Sequence, residues 1–342
     1  MSRPTIKDIA AEAGVALGTA SRALSGNGSV ATETRERVLA AAERLDFIPN
    51  AQARALRSER TETIGLLIPD VRNPFFAELA HVVEREARSS GLSVVLCSAN
   101  EDPELMRQYM LVLRQQRVDG IIVAPFSTAH DTLQAVKGAG MPLVFVDRTI
   151  PGMDVPAVVS DTGAAIRDAV HALVSGGAQR LGFLSGPAQA STGVERLAEF
   201  TAAVEDIGIE TVVQHGDFQE EAGHDGMRAL LAAGVDAVLA ADSRMTLGAV
   251  RECLETGIVP ARDLPFIGFD DIAPFALLQP PLPLICQDLE GMATTAVRLL
   301  NAQLRGETPR TEHRLPAHLR LPTGEALTNP STSTEAEVPH HD

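Results

Sequence analysis

The sequence predicts an all-α helix-turn-helix unit followed by a larger α/β unit built from two doubly wound parallel-sheet halves. Three observations carry this. The first 48 residues place apolar side chains at helical spacing in short pieces. From Thr61 onward, apolar runs of strand length alternate with amphipathic helical stretches. That alternation runs once and then restarts, which implies two similar subdomains, each a parallel sheet covered on both faces.

In the first stretch, Ile6, Ile9, Ala10 and Ala13 fall at i, i+3, i+4 and i+7, giving a short helix that ends at Gly14. A second helix is expected from Leu17 to Leu24 and a third from about Thr32 to Leu45, with Val38, Leu39, Ala42 and Leu45 inward. In the α/β part, "TIGLLIPD", "LSVVLCSA", "DGIIVAP" and "PLVFVD" read as strands, and "FFAELAHVVEREARSSG" as a helix closed by Gly91. The second series is "RLGFLSGP", "TVVQHGD", "DAVLAAD", "PFIGFDD" and "PLICQD", with "GVERLAEFTAAVEDIG" and "SRMTLGAVRECLETG" as intervening helices. In doubly wound sheets ligands bind beyond the carboxyl ends of the strands, so residues just after these runs are the candidates for a site.

Composition narrows the classes. The chain has 342 residues, 45% of them hydrophobic, enough for two or three compact units. Cys97, Cys253 and Cys286 form no paired motif and read as buried thiols in a reducing, cytoplasmic setting. No stretch approaches the roughly 18 apolar residues of a membrane span, and the N-terminus lacks the pattern of a signal peptide. The formal net charge of -16 argues against a polyanionic partner, but residues 1 to 60 carry +2 and the remainder -18. Only the N-terminal segment approaches a phosphate backbone at little electrostatic cost.

"TIKDIAAEAGVALGTASRAL" has the layout of a helix-turn-helix, in which the start of the second helix enters the major groove. With "TRERVLAAAERLDFIPNAQARALRSERTETIGLLIPDVRNPFFAEL", the sequence closely resembles the lac repressor family of bacterial transcription regulators. The resemblance runs to about residue 324 and is most specific across residues 5 to 76, in "TIKDIA..AGV...T.SR.L", "PN..AR.L" and "IGLLIPD..NPFF". It implies a homodimer that binds near-palindromic operator DNA, an effector domain of the periplasmic binding protein-like type I fold, allosteric control by a small molecule, and no cofactor. The expected organisation is a DNA-binding domain over 1–49, a hinge helix over 50–60 and an effector-binding and dimerisation domain over 61–324. Within the last, one subdomain takes about 61–160 plus 289–317 and the other about 161–288 plus 318–324. The polar residues 325–342 are expected to form a disordered tail.

Arg22, on the second helix, suits bidentate recognition of guanine, worth about 1 to 3 kcal/mol of base discrimination. Thr5, Thr19 and Ser21 carry short hydroxyls suited to phosphate. Leu17 and Gly18 stand where the family often uses polar side chains, so apolar or shape readout is expected there. Ala16 replaces the usual Ser at the helix N-cap, at a cost of about 1 kcal/mol. In "NAQARALRSER" the resemblance implies a hinge helix that folds on DNA. Asn50 is its N-cap, Ala53 allows close pairing with a twin, Leu56 wedges into the minor groove, and Arg54 and Arg57 meet phosphates or the groove wall. The competing reading of this stretch is a flexible linker.

For the effector, Phe75 and Phe76 open a helix and Phe218 follows a strand, so aromatics from both sides are placed to sandwich a ring. Asp147 and Asp270 end strands and Arg196 begins a helix, a set able to fix several hydroxyls in direction. Thr192 and Asp242 complete the candidates, whereas Asp161 is expected to cap a helix. Asp242-Ser243 departs from the family's common Asn-Asp, and Ala190 cannot imitate the long basic side chain of the purine-responsive branch. A carbohydrate effector is therefore favoured, with a nucleoside or other metabolite as the alternative. An enzyme lacks any candidate constellation, a purely ligand-binding protein leaves the helix-turn-helix unexplained, and His215 and His224 have a poor metal spacing, so no metal is expected.

Overall fold

The computed structural model describes residues 4–25, 30–47, 60–309 and 312–322. The hinge residues Asn50, Ala53, Arg54, Leu56 and Arg57 and the tail from 325 onward lie outside the described residues. The chain divides into two compact units, Met1–Thr61 and Glu62–Asp342.

The first unit contains α1 (Ile6–Glu12), α2 (Leu17–Ser25) and α3 (Thr32–Arg44). Gly14, at φ 65°, makes the turn from α1 into α2, a conformation that a side chain would strain. Among the described residues, five of the seven buried core side chains between these helices are alanines, Ala10, Ala13, Ala20, Ala23 and Ala41. Such small residues let the helices approach closely. The stripe of α3 differs from expectation at one position. Val38 and Ala41 are buried and Ala42 and Leu45 pack beside them, but Leu39 is 49% exposed. The inward row is Val38, Ala41, Ala42 and Leu45, at i, i+3, i+4 and i+7, and Leu39 sits one residue, about 100°, off that row.

The second unit holds two six-stranded sheets. The first comprises β1 (Thr63–Ile68), β2 (Ser93–Ser98), β3 (Gly120–Val123), β4 (Leu143–Val146), β5 (Ala157–Asp161) and β11 (Glu312–Pro316), in the order β11-β5-β4-β3-β1-β2 and wholly parallel. The second comprises β6 (Arg180–Ser185), β7 (Glu210–His215), β8 (Ala237–Ala240), β9 (Phe266–Phe269), β10 (Leu284–Cys286) and β12 (His318–Arg320), in the order β12-β10-β9-β8-β6-β7. Among the described residues, only β12 runs antiparallel to its neighbour.

Helices α4 (Pro74–Ser89), α5 (Pro103–Gln115), α6 (His130–Gly138) and α11 (Leu289–Leu304) belong with the first sheet. Helices α7 (Gly163–Ser175), α8 (Ser191–Glu205), α9 (Glu220–Ala232) and α10 (Ser243–Glu255) belong with the second. Adjacent residues of β1 show why the strand reads as an unbroken apolar run: Leu66 packs with α4 and α11 on one face, Leu67 with α5 on the other. The chain crosses between sheets after β5, after β10 and between Pro316 and His318. Strands β5, β11 and β12 have no counterpart in the sequence reading. The last two are edge strands whose residues are largely exposed or half-buried, so their pairing depends on a neighbouring strand distant in sequence. In both sheets the strand order reverses next to the first strand, between β1 and β3 and between β6 and β8, which is where a ligand crevice forms.

Candidate functional sites

In the first unit, the start of α2 is a solvent-facing edge. Leu17 is 44% exposed and Gly18 and Arg22 are exposed, while Thr19 and Ser21 are half-buried. The helix begins without a side-chain cap at Ala16, whose carbonyl accepts from Thr19 and Ala20. Arg22 Nε donates to the Gly18 carbonyl at 3.2 Å, which lays the guanidinium back along the same face. Thr5 is more committed than the sequence suggests: its amide and its hydroxyl both donate to the Asp8 carboxylate at 2.7 Å, and these bonds hold the Asp8 pKa below the usual range.

In the second unit, the ends of both sheets converge on a small cavity. Phe75, Phe76, Asp147, Thr192, Arg196, Phe218, Asp242 and Asp270 all line it, joined by three residues that sequence reasoning missed, Asn73, Arg148 and Gln287. The free volume is only about 10 Å³, roughly the space of a single water. Local backbone geometry aims several of these groups. Asp147, Phe218 and Asp270 adopt left-handed φ values of 63°, 64° and 58°, an unfavourable conformation for such residues that turns each side chain out of its strand's path. Gly186 makes room for Phe218: a Cβ there would lie 2.2 Å from the ring.

The centre of the cavity is an arginine. Arg148 is 1% exposed, pairs with both oxygens of Glu101 at 3.0 and 3.1 Å, and lies over Phe76, Phe126 and Phe218 at 5.2 to 5.8 Å from the ring centroids. Phe76 and Phe218, expected from sequence to sandwich a ligand ring, both face this guanidinium instead. Arg148 Nε has no hydrogen-bond partner and stands 3.7 Å from Asp147. Phe75 meets Phe76 edge to face at 5.1 Å, so it supports the ring that reaches Arg148. Arg196 stacks on Phe269 at 4.1 Å and donates to the Ala241 carbonyl and to Gln287.

The carboxylates are strongly perturbed. Burial raises the pKa of Asp147, Asp242 and Asp270, the last to about 7, against the opposing pull of Arg196 on all three. Asp270 accepts from Gln287 at 2.8 Å, and Asp242 caps α10 through the amides of Arg244 and Met245. Asp161 does not cap a helix. Thr162 occupies the N-cap of α7 and donates its hydroxyl to Glu199, because β5 extends through Asp161 to pair with β11.

The two halves are tied at the cavity rim. Asp70, after β1, pairs with Arg244 of α10 at 2.7 Å, Asn73 bonds Asp242 and Ser243, and Ser191 accepts from the Thr149 amide. Burial alone would raise the Asp70 pKa, but its bonds to Arg72 and the charges of Arg72 and Arg244 outweigh this and lower it. A missed signal lay beside the identified ones: Arg148 directly follows Asp147, and Asn73 opens the "NPFF" run.

A small helical unit with an exposed helix start, joined to a two-lobed α/β unit with a small polar cavity, defines a ligand-responsive DNA-binding regulator. The comparisons agree. Residues 5–50 match "Bacterial regulatory proteins, lacI family" and residues 61–289 match "Periplasmic binding proteins and sugar binding domain of LacI family". The chain belongs to the lac repressor family. It is 34% identical over 299 residues to the ribose operon repressor of Bacillus subtilis (strain 168), covering 86% of this chain and 90% of that one. Among solved structures, the lac repressor dimer bound to operator and the anti-inducer ONPF aligns with a TM-score of 0.82 at 27% identity, over 93% of this chain and 98% of that one. The transcriptional regulator CelR–cellobiose complex aligns at 0.70 and 31% identity, over 93% and 99%. Among the described residues, no helix is long and apolar enough to cross a membrane.

Proposed function

We propose that this regulator acts in the cytoplasm as a homodimeric repressor whose grip on a near-palindromic operator is set by a carbohydrate in the cavity between the two sheets. The observation that carries the effector class is the chemistry of that cavity. Asp147, Asp242 and Asp270 line it, and the charge of Arg148 is already taken up by Glu101, leaving Arg196 to face three carboxyl groups. An anionic ligand would meet surplus negative charge. Neutral hydroxyls, by contrast, donate to carboxylates, accept from Arg196 and Gln287, and let a sugar ring lie against Phe76 or Phe218. The names of the relatives point the same way, to ribose and cellobiose.

A monosaccharide does not fit in about 10 Å³, so its entry requires the lobes to part at the Asp70–Arg244 rim and Arg148 to move. That motion couples the cavity to the DNA-binding surface, and effector and operator affinities then change reciprocally. On the DNA side, Arg22, Leu17 and Gly18 face base edges and Thr5, Thr19 and Ser21 face phosphates, while in the hinge Asn50 serves as N-cap, Ala53 allows pairing with a twin, Leu56 wedges into the minor groove and Arg54 and Arg57 meet phosphates or the groove wall. The test is a thermal-shift screen of the full-length protein against sugars and nucleosides, followed by operator mobility shifts with each hit. Selective stabilisation by a sugar that also changes operator affinity supports the reading, and stabilisation by nucleosides alone defeats it.

A further inference from the structure

In the second lobe, α9 and α10 cross unusually closely, and two glycines are the reason. A Cβ on Gly248 would fall 1.9 Å from the Glu220 carbonyl oxygen, and one on Gly223 would fall 2.1 Å from that of Met245. This crossing brings His224, next to Gly223 on α9, against Glu252 and Glu255, which lie three residues apart on one face of α10. His224 Nε2 is 2.9 Å from Glu252 Oε2 and 3.1 Å from Glu255 Oε2, and a ligand atom of each residue lies within 4.8 Å of the others.

The spacing suits a tetrahedral ion. With Zn–N and Zn–O bonds of about 2.0 to 2.2 Å, tetrahedral ligand atoms sit roughly 3.3 to 3.5 Å apart, so the two distances from His224 need to widen by only a few tenths of an ångström. The other ring nitrogen, Nδ1, is 3.2 Å from Asp225 Oδ1, the carboxylate–histidine pairing that turns Nε2 toward a metal. Charge favours a dication. Among the described residues, the five carboxylates of Glu220, Glu221, Asp225, Glu252 and Glu255 pair with the two guanidiniums of Arg228 and Arg251 and the imidazole of His224, so negative charge is in excess. Arg228 donates to both oxygens of Glu252, but its side chain is 59% exposed and free to swing into solvent. The Glu255 side chain is 57% exposed, so the cluster is open to solvent on that side.

We propose that His224 Nε2 and the carboxylates of Glu252 and Glu255 form a binding site for a zinc-class divalent ion, with Asp225 steering the imidazole and a water as fourth ligand. The ion cross-braces α9 to α10, a second input to the lobe, separate from the sugar cavity.

The test is calorimetric titration of ZnCl2 into EDTA-treated full-length protein, together with the visible spectrum of the Co2+ form. Because the C-terminal "PHHD" also offers imidazoles, the parent for these measurements carries His340→Ala and His341→Ala. One saturable site and a tetrahedral Co2+ spectrum are expected. His224→Gln and Glu255→Gln weaken binding at least about tenfold, and Asp225→Asn weakens it about 10- to 100-fold. Arg228→Ala tightens it, since the competing cation is gone. Glu255 is largely exposed, so its variant tests the site without threatening the fold. Absence of saturable binding in the parent, or undiminished binding in both His224→Gln and Glu255→Gln, overturns the proposal.

Discussion

Arg22 and Arg148 are both arginines on surfaces proposed to recognise something, yet the molecule holds them in opposite ways. Arg22 lies exposed on α2 and donates to the Gly18 carbonyl of its own helix. Arg148 is 1% exposed, paired with Glu101 and ringed by three phenyl groups. A guanidinium that is to reach DNA gains by staying solvated until a phosphate or base replaces the water. One that occupies a ligand cavity has lost its water already, so the protein must supply the counter-charge and the π faces. The difference separates stability from function: the first residue should be removable at little cost to the fold, the second should not.

The largest effect is expected from Arg148→Ala. Removing one partner of a buried pair strands the other, which typically costs about 3 to 5 kcal/mol. Glu101, whose pKa burial already raises, is left to take up a proton. Chemical denaturation at neutral pH measures this, and a loss below about 1 kcal/mol would show that water or another cation readily replaces the arginine. Arg22→Ala comes next and should break the comparison from the other side. Operator affinity falls by about 1 to 3 kcal/mol with relaxed sequence preference, while the denaturation midpoint stays put. Competition binding against a scrambled operator reads it.

A third prediction concerns protons in the cavity. Burial, the first cause, lifts Asp270 from the ordinary 3.8 to about 7, against the Gln287 hydrogen bond and Arg196, with Asp242 and Asp147 adding to the rise. Below 3.8 the carboxyl is neutral in folded and unfolded chains alike, and its contribution to stability is fully present. As pH rises the unfolded chain releases the proton first, so that contribution is lost progressively and is gone above about 7. Effector binding runs the other way. A sugar hydroxyl that donates to ionised Asp270 binds more weakly as pH falls below about 7, by up to about tenfold, or 1.4 kcal/mol, per unit. Titration calorimetry across this range checks it, and an affinity independent of pH would remove Asp270 from the contacts.

The same contrast explains what the sequence made legible. Strand ends are visible as the polar residue that closes an apolar run, so Asp147, Asp242 and Asp270 stood out and the structure brings them to one cavity. Glu101 and Arg148 did not, because their pairing spans 47 residues and depends on β2 and β4 ending at the same edge of the sheet. Edge strands β11 and β12 were hidden for a related reason: their partners are set by where the chain crosses between sheets, and their own residues bury little. His224 was weighed with His215, its neighbour in sequence, whereas its partners in space come from the next helix.

Leu39 gives the smallest effect and the sharpest check on reading a helix by period alone. Its neighbour Val38 is fully buried and Leu39 is 49% exposed, although both are apolar and adjacent in "RVLAAAERL". Successive helical residues point about 100° apart, so both cannot lie at the centre of one narrow stripe. The small side chains of Ala41 and Ala42 fill the row that Val38 begins, leaving Leu39 on the shoulder. Leu39→Ala should therefore change the stability of the N-terminal unit by less than about 0.5 kcal/mol, and the gain in helix propensity offsets part of that. Val38→Ala removes packing from the centre of a small core, with a loss several times larger. Melting curves of the two variants decide it: equal losses would mean that Leu39 is covered in the protein as it melts, most directly by a second subunit, and the exposed side of α3 would then count as interface.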